Sequence, residues 1–146
     1  MAQAIPEVSI KEVGTSEITK MLRDCELPTE DLNPSQSIFL GAFNGDILIG
    51  CIGLERLGEI GLLRSLAVHI NFRGQGLGIK LAEVILRKAE DKSLDQVYLL
   101  TTDAEIFFKK LGFIEIIKNE APDSVKKTKQ YSEICSDSAV VMKIDL

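Results

Sequence analysis

The chain has 146 residues and carries 22 acidic against 17 basic side chains, for a net charge of −5. That length suits a single domain, 1–146, with a sizeable core, and no apolar run approaches the ~20 residues that span a bilayer. An acidic chain without a basic stripe argues against nucleic acid, and Cys25, Cys51 and Cys135, scattered and without paired spacing, argue against zinc or a disulfide framework.

Met1 to Glu7 lacks the positive end and apolar stretch of a signal peptide, so the expected location is the cytoplasm, with no membrane partner. Ile5 to Val13 alternates enough for a first strand. Thr15 or Ser16 is placed to cap a helix reaching about Cys25, with Glu17 complementing the dipole in its first turn. Leu27 to Pro34 is broken twice by proline and reads as a loop. Ser37 to Phe43 is a strand, Asn44-Gly45 a hairpin signal, and Asp46 to Leu54 the next strand, with Cys51 in its core. Leu57-Gly58 turns the chain into Glu59 to Val68, which completes three antiparallel strands.

A helix follows from Leu77 to Ala89, with Leu77, Leu81, Val84, Ile85 and Ala89 on one side and Lys80, Glu83 and Arg87 on the other. Val97 to Leu100 is nearly all apolar and should pair in parallel with the strand before the helix, through a right-handed crossover. Thr102-Asp-Ala-Glu105 is a capping box for a helix that stops at Gly112. Phe113 to Lys118 and Ala139 to Ile144 are the last strands. Lys126-Lys127-Thr128-Lys129 reads as solvated surface. The fold class is α/β, a mixed and mainly antiparallel central sheet with one parallel pair, flanked by helices.

Between the third meander strand and the helix lies Arg73-Gly74-Gln75-Gly76-Leu77-Gly78. A strand feeding a glycine-rich turn and then a helix leaves backbone N–H groups free at a helix N-terminus, which suits an anion and above all a phosphate. The glycines permit close approach, and Arg73 adds a fixed positive charge. The spacing Gly74-x-Gly76-x-Gly78 departs from the dinucleotide fingerprint, and Gly78-Ile79-Lys80 lacks the end of a nucleotide P-loop. His69, alone and at the strand end, cannot build a metal site and reads as structural, so no metal is expected.

Arg73-x-x-Gly76-x-Gly78 after a meander strand, with Leu111-Gly112-Phe113 downstream, resembles the GCN5-related N-acetyltransferase (GNAT) superfamily over essentially the whole chain. The resemblance implies acetyl-CoA as co-substrate, its pyrophosphate held by the amides from Gly74 to Gly78, with Arg73, Gln75, Gly76 and Leu77 in that loop. It implies further that Leu66, Ala67 and Val68 offer backbone groups to the pantetheine arm, where two parallel strands splay apart. Leu27 to Leu32, Gly61 to Val68, Leu99 to Phe108 and Tyr131 to Ala139 resemble short amino-acid N-acetyltransferases, relatives of the acetylglutamate synthase acetyltransferase domain that include arsenic-resistance acetyltransferases. That subgroup carries Cys-Pro where this chain has Cys135-Ser136.

Acetyl transfer to an amine needs a deprotonated amine, a stabilised oxyanion and a proton for the leaving thiolate. The superfamily's usual tyrosine acid falls at Phe108, which has no proton to give and packs against the helix or the cofactor. The usual asparagine falls at Thr101. Tyr131 is the candidate catalytic acid, with a surface aromatic as its other reading; Cys135 reads as a packed thiol. Glu55 and Glu59 are candidate bases or plain turn residues, and Glu105 is explained by its capping box. Arg64 interrupts an apolar strand, where a charge is costly without a partner. It either binds a substrate carboxylate or pairs with an acid such as Glu59.

The expected function is acetyl-CoA-dependent N-acetyltransfer to the amine of a small amino acid or amino-acid analogue, by direct transfer. The alternatives are an acyl-CoA-binding regulatory module without catalysis and a protein N-acetyltransferase. The expected partner is a small-molecule amine, with a second copy of the chain as a candidate for a homodimer.

Overall fold

The computed structural model describes residues 8–25, 27, 29, 36–128, 131–132 and 139–146. Its strands are β1 (Ser9–Val13), β2 (Ser37–Asn44), β3 (Ile47–Leu57), β4 (Ile60–Val68), β5 (Gln96–Thr101), β6 (Ile114–Ile116) and β7 (Val140–Asp145). Its helices are α1 (Thr15–Asp24), α2 (Leu77–Asp91), α3 (Glu105–Lys110) and α4 (Asp123–Lys126). Hydrogen bonding orders the strands β1-β2-β3-β4-β5-β7-β6 in one mixed sheet, mainly antiparallel, with β4 and β5 the parallel pair. The expected fold class is thus the observed one. By packing, the chain divides into two compact units: Met1–Glu55 with Arg64–Lys88, and Arg56–Leu63 with Ala89–Leu146.

In the first unit, β1 and β2 pair antiparallel from Ser9 opposite Phe43 to Val13 opposite Phe39. β2 and β3 pair from Ser37 opposite Glu55 to Asn44 opposite Ile47, with a bulge at Ala42/Phe43. Ile49 to Leu54 is buried without alternation, as in a strand covered on both faces. One cover is α1, whose Ile18 and Leu22 are fully buried against Phe39, Cys51 and Ala67. The other is α2, which buries Leu77, Leu81, Ala82, Ile85 and Ala89; Val84 is half-buried. Gly50 makes room for α2: a Cβ there would stand 3.1 Å from Leu81 and 3.2 Å from both Leu77 and the Ala67 carbonyl.

The N-cap of α1 is Gly14, one residue before the expected Thr15 or Ser16. Its extended backbone points its N–H at the Glu17 carboxylate, 3.1 Å away, so the helix's third residue supplies the cap from inside. The loop expected over Leu27–Pro34 lies largely outside the described residues.

In the second unit, β4 pairs in parallel with β5 at Ile60–Gln96, Gly61–Val97 and Leu62–Tyr98. β7 lies antiparallel to β5 from Gln96–Asp145 to Thr101–Val140, and β6 pairs with the far side of β7. Leu62, Tyr98, Ala121, Val125 and Val141 form its apolar cluster. α3 starts at Glu105 and ends as expected at Gly112, whose φ of +104° lets Phe113 N–H reach back to the Phe108 carbonyl at 3.1 Å. The expected capping box is not formed: the N-cap is Ala104, with no side-chain cap, the Thr101 hydroxyl accepts from the Ala104 amide at 3.0 Å in the turn before the helix, and Glu105 turns outward to Lys109 at 2.6 Å. β6 is shorter than Phe113–Lys118, because a 3-10 turn, Lys118–Glu120, takes the chain off the sheet. No helix of the described residues is long and apolar enough to cross a membrane.

Candidate functional site

The glycine loop begins where β4 leaves the sheet. His69 N–H makes a bond to the Ile49 carbonyl at 2.8 Å. Its Nδ1 then accepts from the Asn71 amide at 3.1 Å, and its carbonyl from Phe72 N–H at 2.8 Å, so this histidine caps the 3-10 turn Ile70–Phe72. Phe72 is buried and meets the His69 ring edge-on, centroids 5.9 Å apart. The turn aims Arg73 back along β4: Nε donates to the Val68 carbonyl at 2.9 Å, and Nη2 stands 4.0 Å from Cys25 Sγ.

Gly74 and Gly76 both take left-handed backbone, φ +78° and +82°, and a Cβ on either would meet nothing within 4 Å. The loop therefore presents bare backbone to open space rather than to packed protein. Lys80 N–H is the first amide of this run to find a backbone acceptor, Gly76 C=O at 3.1 Å. Among the described residues, the amides of Gly76 to Ile79 have none, as the first turn of a helix requires. Gln75 adds a side-chain nitrogen, Nε2, that is buried without a hydrogen-bond partner. Open left-handed glycines, unspent amides, an unpartnered amide nitrogen and a tethered guanidinium together fit a pyrophosphate.

Beside the loop, Arg73, His69 and Ile70 join Lys20, Asp24 and Cys25 among the residues lining a cavity of about 600 Å³. Lys20 and Asp24 are ion-paired at 3.0 Å. Among the described residues, no group of three His, Cys, Asp or Glu side chains could hold a metal ion.

Upstream on β4, Ala67 is buried, with Leu66 and Val68 half-buried. Ser65, just before them, has φ +61°, a left-handed serine inside a strand. The sequence carries one faint sign of it, a polar Arg64-Ser65 pair in an apolar strand. Cys51 donates its S–H to the Ser65 carbonyl at 3.4 Å. Burial pushes the Cys51 thiol up to about 12, the nearby Cys25 adds to this, and a hydrogen bond from the Ala67 amide pulls the other way.

The Arg64 side chain is 1% exposed, with Nη1 at 3.6 Å from Glu55 Oε1 and Nε donating to Ser65 Oγ at 3.2 Å. Its acidic partner is Glu55 on the neighbouring strand, not Glu59. The carbonyl of Glu59 instead accepts the Asp95 amide at 2.8 Å. Arg64, Leu66–Val68 and the whole loop thus fall in the first unit.

Phe108 and Tyr131 fall in the second. Phe108 is buried between Phe107 and Phe113, ring centroids at 5.0 and 5.6 Å. Tyr131 is half-buried against the Leu62–Tyr98 cluster, its hydroxyl donating to the Lys118 carbonyl at 3.4 Å. Cys135 and Ser136 lie outside the described residues.

Residues 35–115 match the family described as acetyltransferase (GNAT) domain. Over 142 residues the chain is 28% identical to the amino-acid acetyltransferase of Buchnera aphidicola subsp. Acyrthosiphon pisum, an alignment covering 89% of this chain and 31% of that protein. The chain thus spans under a third of that relative's length. An acetyltransferase of the GNAT family from Staphylococcus aureus Mu50 superposes with a TM-score of 0.76 at 21% identity, over 96% of this chain and 99% of that one. N-acetylglutamate synthase from Neisseria gonorrhoeae, solved with coenzyme A and N-acetyl-glutamate, gives a TM-score of 0.77 at 19% identity, over 96% of this chain and 35% of that one. A family match over more than half the chain, on the fold described above, makes this protein a member of the acetyl-CoA-dependent GNAT N-acetyltransferase family.

Proposed function

We propose that the chain moves an acetyl group from acetyl-CoA to the amine of a small amino acid or amino-acid analogue, by direct transfer. The observation that carries this is the glycine loop, where two left-handed glycines leave unpaired amides facing open space beside Arg73. The name shared by the relatives, amino-acid acetyltransferase, supports the acceptor class.

In this reading the amides of Gly74 to Gly78, the Gln75 side chain and Arg73 hold the pyrophosphate, and Leu66 to Val68 hold the pantetheine arm. Acetyl-CoA supplies an activated thioester; a C–N bond forms as the C–S bond breaks, the acceptor nitrogen gives up its proton to solvent, and the thiolate takes one up. Arg64 orients a carboxylate-bearing acceptor directly or through its neighbours. Tyr131 gives the proton, which requires its hydroxyl to leave the Lys118 carbonyl. Holding both substrates in one site supplies much of the rate through proximity.

One observation favours a second reading. Phe108, at the position of the superfamily's usual acid, is buried among aromatic rings and carries no proton. A chain that binds acyl-CoA without turning it over would tolerate that. A thiol-release screen over an amino-acid panel, paired with acetyl-CoA calorimetry, separates the two. Binding with release on a carboxylate-bearing amine supports the enzyme. Binding without release on any amine supports the module, and absence of binding removes both.

A further inference from the structure

Ser65 is the least expected backbone in the described strands. A serine at φ +61° is sterically disfavoured, and a strand built only for packing has no use for it. Buried partners engage it on two sides. Arg64 Nε donates to its hydroxyl at 3.2 Å, and Cys51 donates its S–H to its carbonyl at 3.4 Å. Arg64 is steadied in turn by Glu55 at 3.6 Å, two side chains 1% and 15% exposed. A guanidinium and a carboxylate this buried demand good geometry, since each is costly alone. A buried ion pair thus meets this residue's hydroxyl, and a buried thiol meets its carbonyl. The three residues after it, Leu66 to Val68, are those assigned above to the pantetheine arm.

We infer that Glu55, Arg64 and Cys51 are positioning residues: together they hold Ser65 left-handed, and that conformation sets the direction of the Leu66–Val68 backbone groups toward acetyl-CoA. This rests on the proposed function, because it needs the cofactor to lie along β4. The cysteine suits its place. Its S–H donates to the Ser65 carbonyl across the two strands. A thiol is a weak donor in a small apolar volume, so it makes this bond inside a core where alanine makes none.

The test uses glycine, which takes positive φ without help. In the full-length chain, Ser65→Ala should raise the acetyl-CoA Kd by about tenfold, since it loses the hydroxyl and keeps the strain, while Ser65→Gly stays within about twofold of wild type. Arg64→Met should raise the Kd by about tenfold with Ser65 present and by less than about twofold in the Ser65→Gly background. Cys51→Ala, a smaller change that keeps the ion pair, should follow the same pattern. Equal losses from Arg64→Met in both backgrounds would overturn the inference. So would an unchanged acetyl-CoA Kd in Arg64→Met, a raised acceptor KM then leaving Arg64 its acceptor role alone. If wild type binds no acetyl-CoA, the function reading fails first; if it binds and the cycle is additive, only the positioning role fails.

Discussion

The Arg73 guanidinium donates to the Val68 carbonyl at 2.9 Å, which ties the loop's positive charge to the last residue of β4. The charge is therefore held in place before any anion arrives. Arg73→Ala should raise the acetyl-CoA Kd by about tenfold, the size of one charged hydrogen bond. Arg73→Lys should recover only part of this, because an ammonium cannot satisfy Val68 and a phosphate through one planar fork. Calorimetry at two salt concentrations checks both, with wild type the more salt-sensitive.

Gly74 and Gly76 owe their identity to backbone angle and not to crowding, since a Cβ on either has free space. Alanine at either site should cost about 1–2 kcal/mol of stability from the left-handed conformation alone, read by denaturant unfolding. Gly76→Glu should abolish acetyl-CoA binding by setting a carboxylate against the pyrophosphate.

Cys51 gives the chain an alkaline limit. Its thiol is pushed up to about 12 when folded, whereas an unfolded cysteine titrates at about 8.5. Below 8.5 both states keep the proton and the group has no pH effect. Above it the unfolded chain releases the proton first, so stability falls as pH rises, by at most about 1.4 kcal/mol per pH unit from this group. Cys51→Ala should flatten that slope in chemical denaturation between pH 8.5 and 10.5. In the folded wild type, iodoacetamide at pH 8.5 should label the half-exposed Cys25 and spare Cys51.

Tyr131→Phe separates an acid from a structural clasp. As the thiolate acid, Tyr131 should lose about 100-fold in kcat as phenylalanine, with the acetyl-CoA Kd intact. A kcat within twofold of wild type, with a lower Tm, would leave the hydroxyl with the Lys118 carbonyl alone.

The elements that position the loop were legible because period and punctuation agree there. The apolar run of β4, the glycines and the helical spacing from Leu77 each mark one boundary. Side-chain partnerships were less so. Arg64 was readable as a charge in need of a partner, but Glu59 is nearer to it along the chain than Glu55. Only the path of the hairpin selects Glu55. Ser65 was hidden for a deeper reason, since serine has no preference for positive φ and two of the residues that engage it or its partner, Cys51 and Glu55, lie on another strand. Helix starts show the same limit: α1 begins after Gly14, one residue before the expected Thr15, and α3 begins after Ala104 without the expected Thr102 cap.

Glu55 and Arg64 are also the residues at which the chain leaves the first compact unit and returns to it. Their ion pair closes the mouth of the excursion Arg56–Leu63, so a local hairpin joins the two halves of that unit. On the ribosome the unit cannot be completed until Lys88 has emerged, yet both partners of the pair are made by Arg64. The β3–β4 hairpin is local in the chain and can therefore pair before α2 is made, while the ion pair gains its burial only with the finished unit.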